Sequence, residues 1–129
     1  MRILGIDYGS KRVGVAISDD TTTLAFPKAV LRNSHTLMGE LRATVEANGV
    51  SEIVVGKSLN LDLSDNLLME DIRRFAERLH KETKTPVHFE PEYFTSVEAR
   101  KGETPPALVD ASAAALILQR FLDKRNNSR

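Results

Sequence analysis

An acid closes the first strand-like run of this chain, and few folds can accept one there. Residues 2–18 read RILGIDYGSKRVGVAIS. Two short apolar runs, Arg2–Ile6 and Val13–Ile17, flank the polar turn Tyr8-Gly9-Ser10-Lys11. The first run has the make-up of a buried strand, and it ends on Asp7. A carboxylate in such a place must be paired, hydrogen-bonded or bound to a cation. The short connection predicts an antiparallel hairpin, with Val13, Val15 and Ile17 alternating with small residues.

The remaining pattern sets the architecture around that hairpin. Leu24–Leu31 reads as a third strand, and Pro27 places it at a sheet edge. Ser34 is expected to cap a helix from His35 to Asn48, with Leu37, Leu41 and Val45 as its stripe and Gly49 closing it. Glu52–Gly56 reads as a fourth strand and Lys57–Asp65 as a loop. A second amphipathic helix is expected over Asn66–Lys81, buried through Leu68, Ile72, Phe75 and Leu79, with Glu70, Arg73, Arg74, Glu77 and Arg78 as its solvated face. Pro86–Glu90 reads as a fifth strand. Thr95–Glu98 has capping-box spacing for a short helix ended by Gly102. A last helix, capped by Thr104 with Pro105 at its first position, runs to Asp123 or Lys124 and leaves a polar, frayed tail. Right-handed crossovers then give an α/β fold: a five-stranded mixed sheet, order 3-2-1-4-5, flanked by helices. We expect one domain over residues 1–124 and a tail over 125–129.

Composition excludes several functions. There is no cysteine, so disulfides and thiolate metal sites are ruled out, and His35, His80 and His88 lack metal-ligand spacing. The 18 basic and 18 acidic residues cancel, so nucleic acid would have to be held by a local basic patch rather than by bulk charge. No signal peptide or membrane span is expected, which fits a cytoplasmic protein.

Sites in such sheets lie at the carboxyl ends of the parallel strands, beside a switch in strand order. Asp7, Gly56 and the Glu90-Pro91-Glu92 segment are expected at that rim. Asp110, Ala114, Ile117 and Phe121 share one helix face, so Asp110 begins an apolar stripe. Asp7, Glu92 and Asp110 are therefore expected to converge. Close carboxylates cannot all stay ionised and unpaired. Oxygen ligands suit one or two Mg²⁺ or Mn²⁺ ions, which serve phosphodiester cleavage. The simpler alternatives are a turn-forming Asp7, an Asp110 that complements the helix dipole, and a solvated Glu92. Lys11, Arg12 and Lys57 are candidates for steering a phosphate backbone, or else solvate the surface. Asn60, Ser64 and Asn66 suit turns and caps, or phosphate contacts.

These residues also carry a resemblance. The opening GIDYGSKRVGVAISD, the Ala25-Phe26-Pro27 element, the segment Val54–Asn60 and the closing VDASAAALILQRFL of residues 109–122 together resemble the YqgF/RuvX family. That family is the Holliday junction resolvase-like group of the RNase H-like superfamily. The resemblance implies a metal-dependent nuclease, acting in maturation of the 5′ end of pre-16S ribosomal RNA or in resolution of four-way DNA junctions. It implies that Asp7 and Asp110 are two catalytic acids and Glu92 the third, within the family's Asp-Glu-Arg-x-Thr-Thr motif. Here that motif reads Pro91-Glu92-Tyr93-Phe94-Thr95-Ser96. Thr95 keeps a hydroxyl of the pair and joins Lys11, Arg12, Lys57 and Asn60 as a candidate nucleic-acid contact. The implied partners are precursor ribosomal RNA or branched DNA, and the ribosome; monomer and homodimer stay open.

Four departures from the family pattern stand out: Ser58 for proline, Leu63 for glycine, Pro91 for aspartate and Tyr93 for arginine. Tyrosine cannot supply arginine's charge or its bidentate fork. The rival reading is therefore a catalytically impaired module that binds nucleic acid or the ribosome. A third reading, the phosphate-binding hairpin of actin-like ATPases, needs two such domains, and this chain has room for one.

Overall fold

A computed structural model describes residues 1–59, 68–93 and 106–128, with side chains for all of these but 59, 93 and 106–110. Strands β1 (Arg2–Tyr8), β2 (Arg12–Ser18) and β3 (Ala25–Arg32) form an antiparallel meander. Helix α1 (Leu37–Asn48) leads to β4 (Val50–Leu59), and α2 (Met69–Thr83) leads to β5 (Val87–Tyr93). Both later strands pair in parallel, β4 with β1 and β5 with β4. Helix α3 (Pro106–Asn127) follows. The sheet order is β3-β2-β1-β4-β5, as the sequence pattern predicts.

The period of two along each strand divides the core between the two faces. Leu4, Ile6, Val13, Val15, Ile53 and Val55 pack under α1 and α2 with Leu41, Ile72 and Leu79. Ile3, Ala16 and Val54 pack on the other face against Ala114, Ile117, Leu118 and Leu122 of α3. A β-carbon at Gly5 would stand 2.7 Å from Leu118 Cβ and 3.1 Å from the Ala114 carbonyl oxygen. Only glycine lets α3 lie this close to β1. The Gln119 side chain accepts from Ala25 N–H and donates to the Thr23 carbonyl, both at 2.9 Å, which fastens α3 to the start of edge strand β3. Pro27 lies in that edge strand, next to a register shift opposite Val15 and Ala16.

Several boundaries differ from the sequence reading. Ser34 does not cap α1. Its hydroxyl accepts from Thr36 N–H at 3.3 Å and its carbonyl from Leu37 N–H at 3.1 Å, which makes a turn ahead of the helix. Strand β4 continues through Lys57, Ser58 and Leu59, expected as loop, because β5 also runs on and pairs with them. Glu92 therefore sits in a strand, opposite Ser58. Helix α2 is described from Met69. The expected frayed tail is instead the last turn of α3. Lys124 pairs with Glu90, which is 4% exposed, and Arg125 pairs with Glu52. The expected short helix over 95–102 and its flanks lie outside the described residues.

Candidate active site

The site is built by the direction of α3 against the sheet. Ile117 packs over Gly56, and Arg125, two turns later, binds Glu52 four residues earlier in β4. Helix α3 therefore runs antiparallel to β4 and β1, and its first turn lies at their carboxyl ends. Asp7 is two residues beyond Gly5, about 6.6 Å further along β1. Asp110 is one turn before Ala114, about 6 Å back along α3. Both displacements lead towards the same rim, so the second turn of α3, which carries Asp110, lies at the end of β1 that carries Asp7. Asp110 shares the angular side of the helix taken by Ile117 and Phe121.

Alternation places Asp7 on the α3 face of β1, in phase with Ile3 and Gly5. It pairs in register with Gly14 and is half-buried. Glu92 is on the same face of β5, in phase with His88 and Glu90, which reach Phe121 and Lys124 of α3. Its Oε2 lies 3.1 Å from the point where a β-carbon on Gly56 would stand, and Ile117 Cδ1 lies 2.7 Å from that same point. Gly56 is thus the opening through which the Glu92 carboxylate reaches back over β4 towards β1. Among the described residues no group of three His, Asp or Glu could hold a metal ion; the Asp110 side chain lies outside that set.

The basic candidates divide. Lys11 and Arg12 are exposed at the turn between β1 and β2, at the rim end of the sheet. Arg12 is in phase with Ala16, so it shares the α3 face with Asp7. Lys57 follows Gly56 and takes the opposite face, under α1 and α2. Asn60, Ser64, Asn66, Thr95 and Ser96 lie outside the described residues.

Behind the rim is a network that sequence reasoning missed. Arg125 donates to both Glu52 oxygens, at 2.7 and 3.0 Å, and His88 Nε2 donates to Glu52 Oε1 at 2.8 Å. His88 stacks on Phe121 at 5.4 Å, and the Arg125 guanidinium sits 4.6 Å over the same ring. The bond from Arg125, then that from His88, holds the Glu52 carboxyl below its ordinary value against the opposing effect of burial. The signal was a polar side chain on each of two neighbouring strands, Glu52 and His88, but nothing local said they shared a face with the last helix turn.

A sequence model of the RuvX family, described as Holliday junction resolvase, matches residues 1–124. The chain belongs to this family. It is 39% identical to a "Putative pre-16S rRNA nuclease" of Koribacter versatilis, over 99% of this chain and 90% of that one. It is 38% identical to a protein of the same description from Nitratidesulfovibrio vulgaris, over 100% and 98%. Among solved structures, Thermus thermophilus RuvC in complex with a Holliday junction substrate superposes with a TM-score of 0.61 at 14% identity. That match covers 97% of this chain and 95% of that one, and it shows the shared fold. The RuvX family and the RNase H-like fold expected from the motifs are thus both found.

Proposed function

We propose that this RuvX chain is a nuclease that hydrolyses phosphodiester bonds of structured nucleic acid, with Asp7, Glu92 and Asp110 as its metal-binding acids. The observation that carries the reading is the glycine opening at Gly56, which admits the Glu92 carboxylate to the rim where β1 ends on Asp7. Ile117 of α3 packs on the same opening, so Gly56 serves the core and the rim at once. Oxygen-only donors of this kind fit Mg²⁺ or Mn²⁺, one or two ions. When bound, such an ion would polarise a phosphoryl oxygen and lower the pKa of an attacking water. The acids' own task is to present their oxygens from rigid elements, two strands and one helix. Arg12, on the same face, and Lys11, at the same turn, steer the phosphate backbone towards them; Lys57 would meet it from the opposite face. Asn60 and Thr95 complete the proposed nucleic-acid contacts.

The relatives' names favour precursor 16S ribosomal RNA over branched DNA as substrate, and so a cytoplasmic place beside the ribosome. No helix among the described residues is long and apolar enough to cross a membrane. Residues 1–124 act as a single nuclease domain in this reading. The change to Pro91 leaves β5 intact: the strand runs through it, paired with Lys57, on the sheet edge where a residue without N–H is tolerated. That favours an active enzyme over an impaired binding module.

The test is cleavage of a precursor ribosomal RNA fragment and of a synthetic four-way junction, with and without Mn²⁺. Mn²⁺-dependent cutting of the RNA, lost in Asp7→Asn, is expected. Full activity of Asp7→Asn on either substrate would refute the assignment.

A further inference from the structure

A recess opens at the same rim, on the face of the sheet opposite Asp7. Tyr8 follows Asp7 in β1, so its side chain goes to the side of α1 and α2, where its ring lies 4.7 Å from that of Phe75. Above the ring pair is a cavity of about 280 Å³, lined among others by Tyr8, Ser34, His35, Asp71, Arg74 and Arg78. Its charged lining is two arginines against one aspartate. Arg74 is shared between Glu70 and Asp71, both at 3.6 Å, a separation at which exposed ion pairs are weak. Arg78 is exposed and has no hydrogen bond or ion pair among the described residues. The wall is tied to the turn that carries Lys11 and Arg12: Asn33 donates its side-chain amide to the Gly9 carbonyl at 2.7 Å and its backbone N–H to the Lys11 carbonyl at 2.9 Å.

We propose that this recess is a subsite for one nucleotide unit of the nucleic-acid strand, next to the phosphodiester presented to the acids. The inference rests on the nuclease reading above. Asp7 and Tyr8 are consecutive, with Cα atoms about 3.8 Å apart, so a strand crossing the end of β1 meets both faces. Arg78, with Arg74, takes a backbone phosphate, since a guanidinium matches phosphate geometry. Tyr8, backed by Phe75, offers a ring on which a base stacks, a contact open to any base, and His35 shares the same lining. The subsite positions the strand; it takes no part in bond cleavage.

The test is fluorescence anisotropy of the full chain with a labelled precursor ribosomal RNA fragment and a labelled four-way junction, Ca²⁺ replacing Mn²⁺, across a salt series. Arg78→Gln should weaken binding about tenfold and reduce the slope of log affinity against log salt by about one, as for loss of one phosphate contact. Tyr8→Leu should weaken binding with the slope unchanged. Arg42→Gln, at an exposed side chain of α1 that faces Glu82 of α2 at 3.6 Å and does not line the recess, should match the parent. A parent that binds substrate while Arg78→Gln binds it equally, with the same slope, overturns the subsite and leaves the nuclease reading standing. A parent that binds neither substrate overturns both. A free nucleoside monophosphate should bind the parent only at millimolar levels; micromolar binding abolished by Arg78→Gln would give the recess to free nucleotide and overturn its assignment to the strand.

Discussion

Glu92 reaches over a residue that has no side chain: its Oε2 lies 3.1 Å from the missing β-carbon of Gly56, a residue it does not pair with in the sheet. Ile117 of α3 closes on the same point from above, at 2.7 Å. Gly56→Ala should therefore push apart one core group and one proposed metal ligand. We expect a loss of about 1–3 kcal/mol in stability, the usual cost of overpacking, and at least a tenfold loss of cleavage. Adding Ile117→Val should recover stability in a thermal melt without recovering cleavage, because it relieves the core contact and leaves the Glu92 contact in place.

Gly5→Ala is a harder insult. Its β-carbon would meet the Ala114 carbonyl at 3.1 Å as well as Leu118 Cβ at 2.7 Å, and backbone cannot swing aside as Ile117 Cδ1 can. The helix must lift from β1. The expected cost is about 3 kcal/mol, at the upper end for overpacking, and denaturant unfolding with an unchanged slope checks it.

The Glu52 network makes stability depend on pH. The Glu52 carboxyl is held below its ordinary value by Arg125 and then by His88. A depressed carboxyl binds its proton more readily in the unfolded chain, so its contribution is fully present above the unfolded value near 4.5 and is lost as pH falls through the lower folded value. Arg125→Gln should cost about 1–2 kcal/mol at neutral pH, as for a charge-assisted bond that is half-buried and partly screened by solvent. The difference from the parent should shrink below pH 4.5 in urea melts taken across that range.

Removing Lys124 tests the corrected end of the chain. Lys124→Met leaves the Glu90 carboxylate, 4% exposed, without its cationic partner. A loss of about 1–3 kcal/mol is expected, as for a buried acceptor left unsatisfied. A residue in a frayed tail would cost nothing on substitution, so a melt identical to the parent would speak for the tail.

Strand order was legible because it rests on periodicity. Val13, Val15 and Ile17 alternate, Pro27 marks an edge, and the crossovers admit one hand. Element ends were less legible. The β4 residues 57–59 and the β5 residues 91–93 extend only because they pair with each other, and no local signal carries that. Lys124 and Arg125 looked like a solvated tail because their partners, Glu90 and Glu52, lie 34 and 73 residues away. Asp7 was conspicuous as an acid closing an apolar run. The approach of Glu92 to Gly56 was not, since it depends on an absent side chain there.

Under the proposed function, the carboxylates at this rim bind a divalent cation. Calorimetric titration of Mn²⁺ into the full chain, with substrate nucleic acid present, tests it most directly. Saturable binding of one or two ions by the parent, at least tenfold weaker in Asp7→Asn and in Glu92→Gln, is the result expected. Binding unchanged in both variants, or none in the parent, would contradict it.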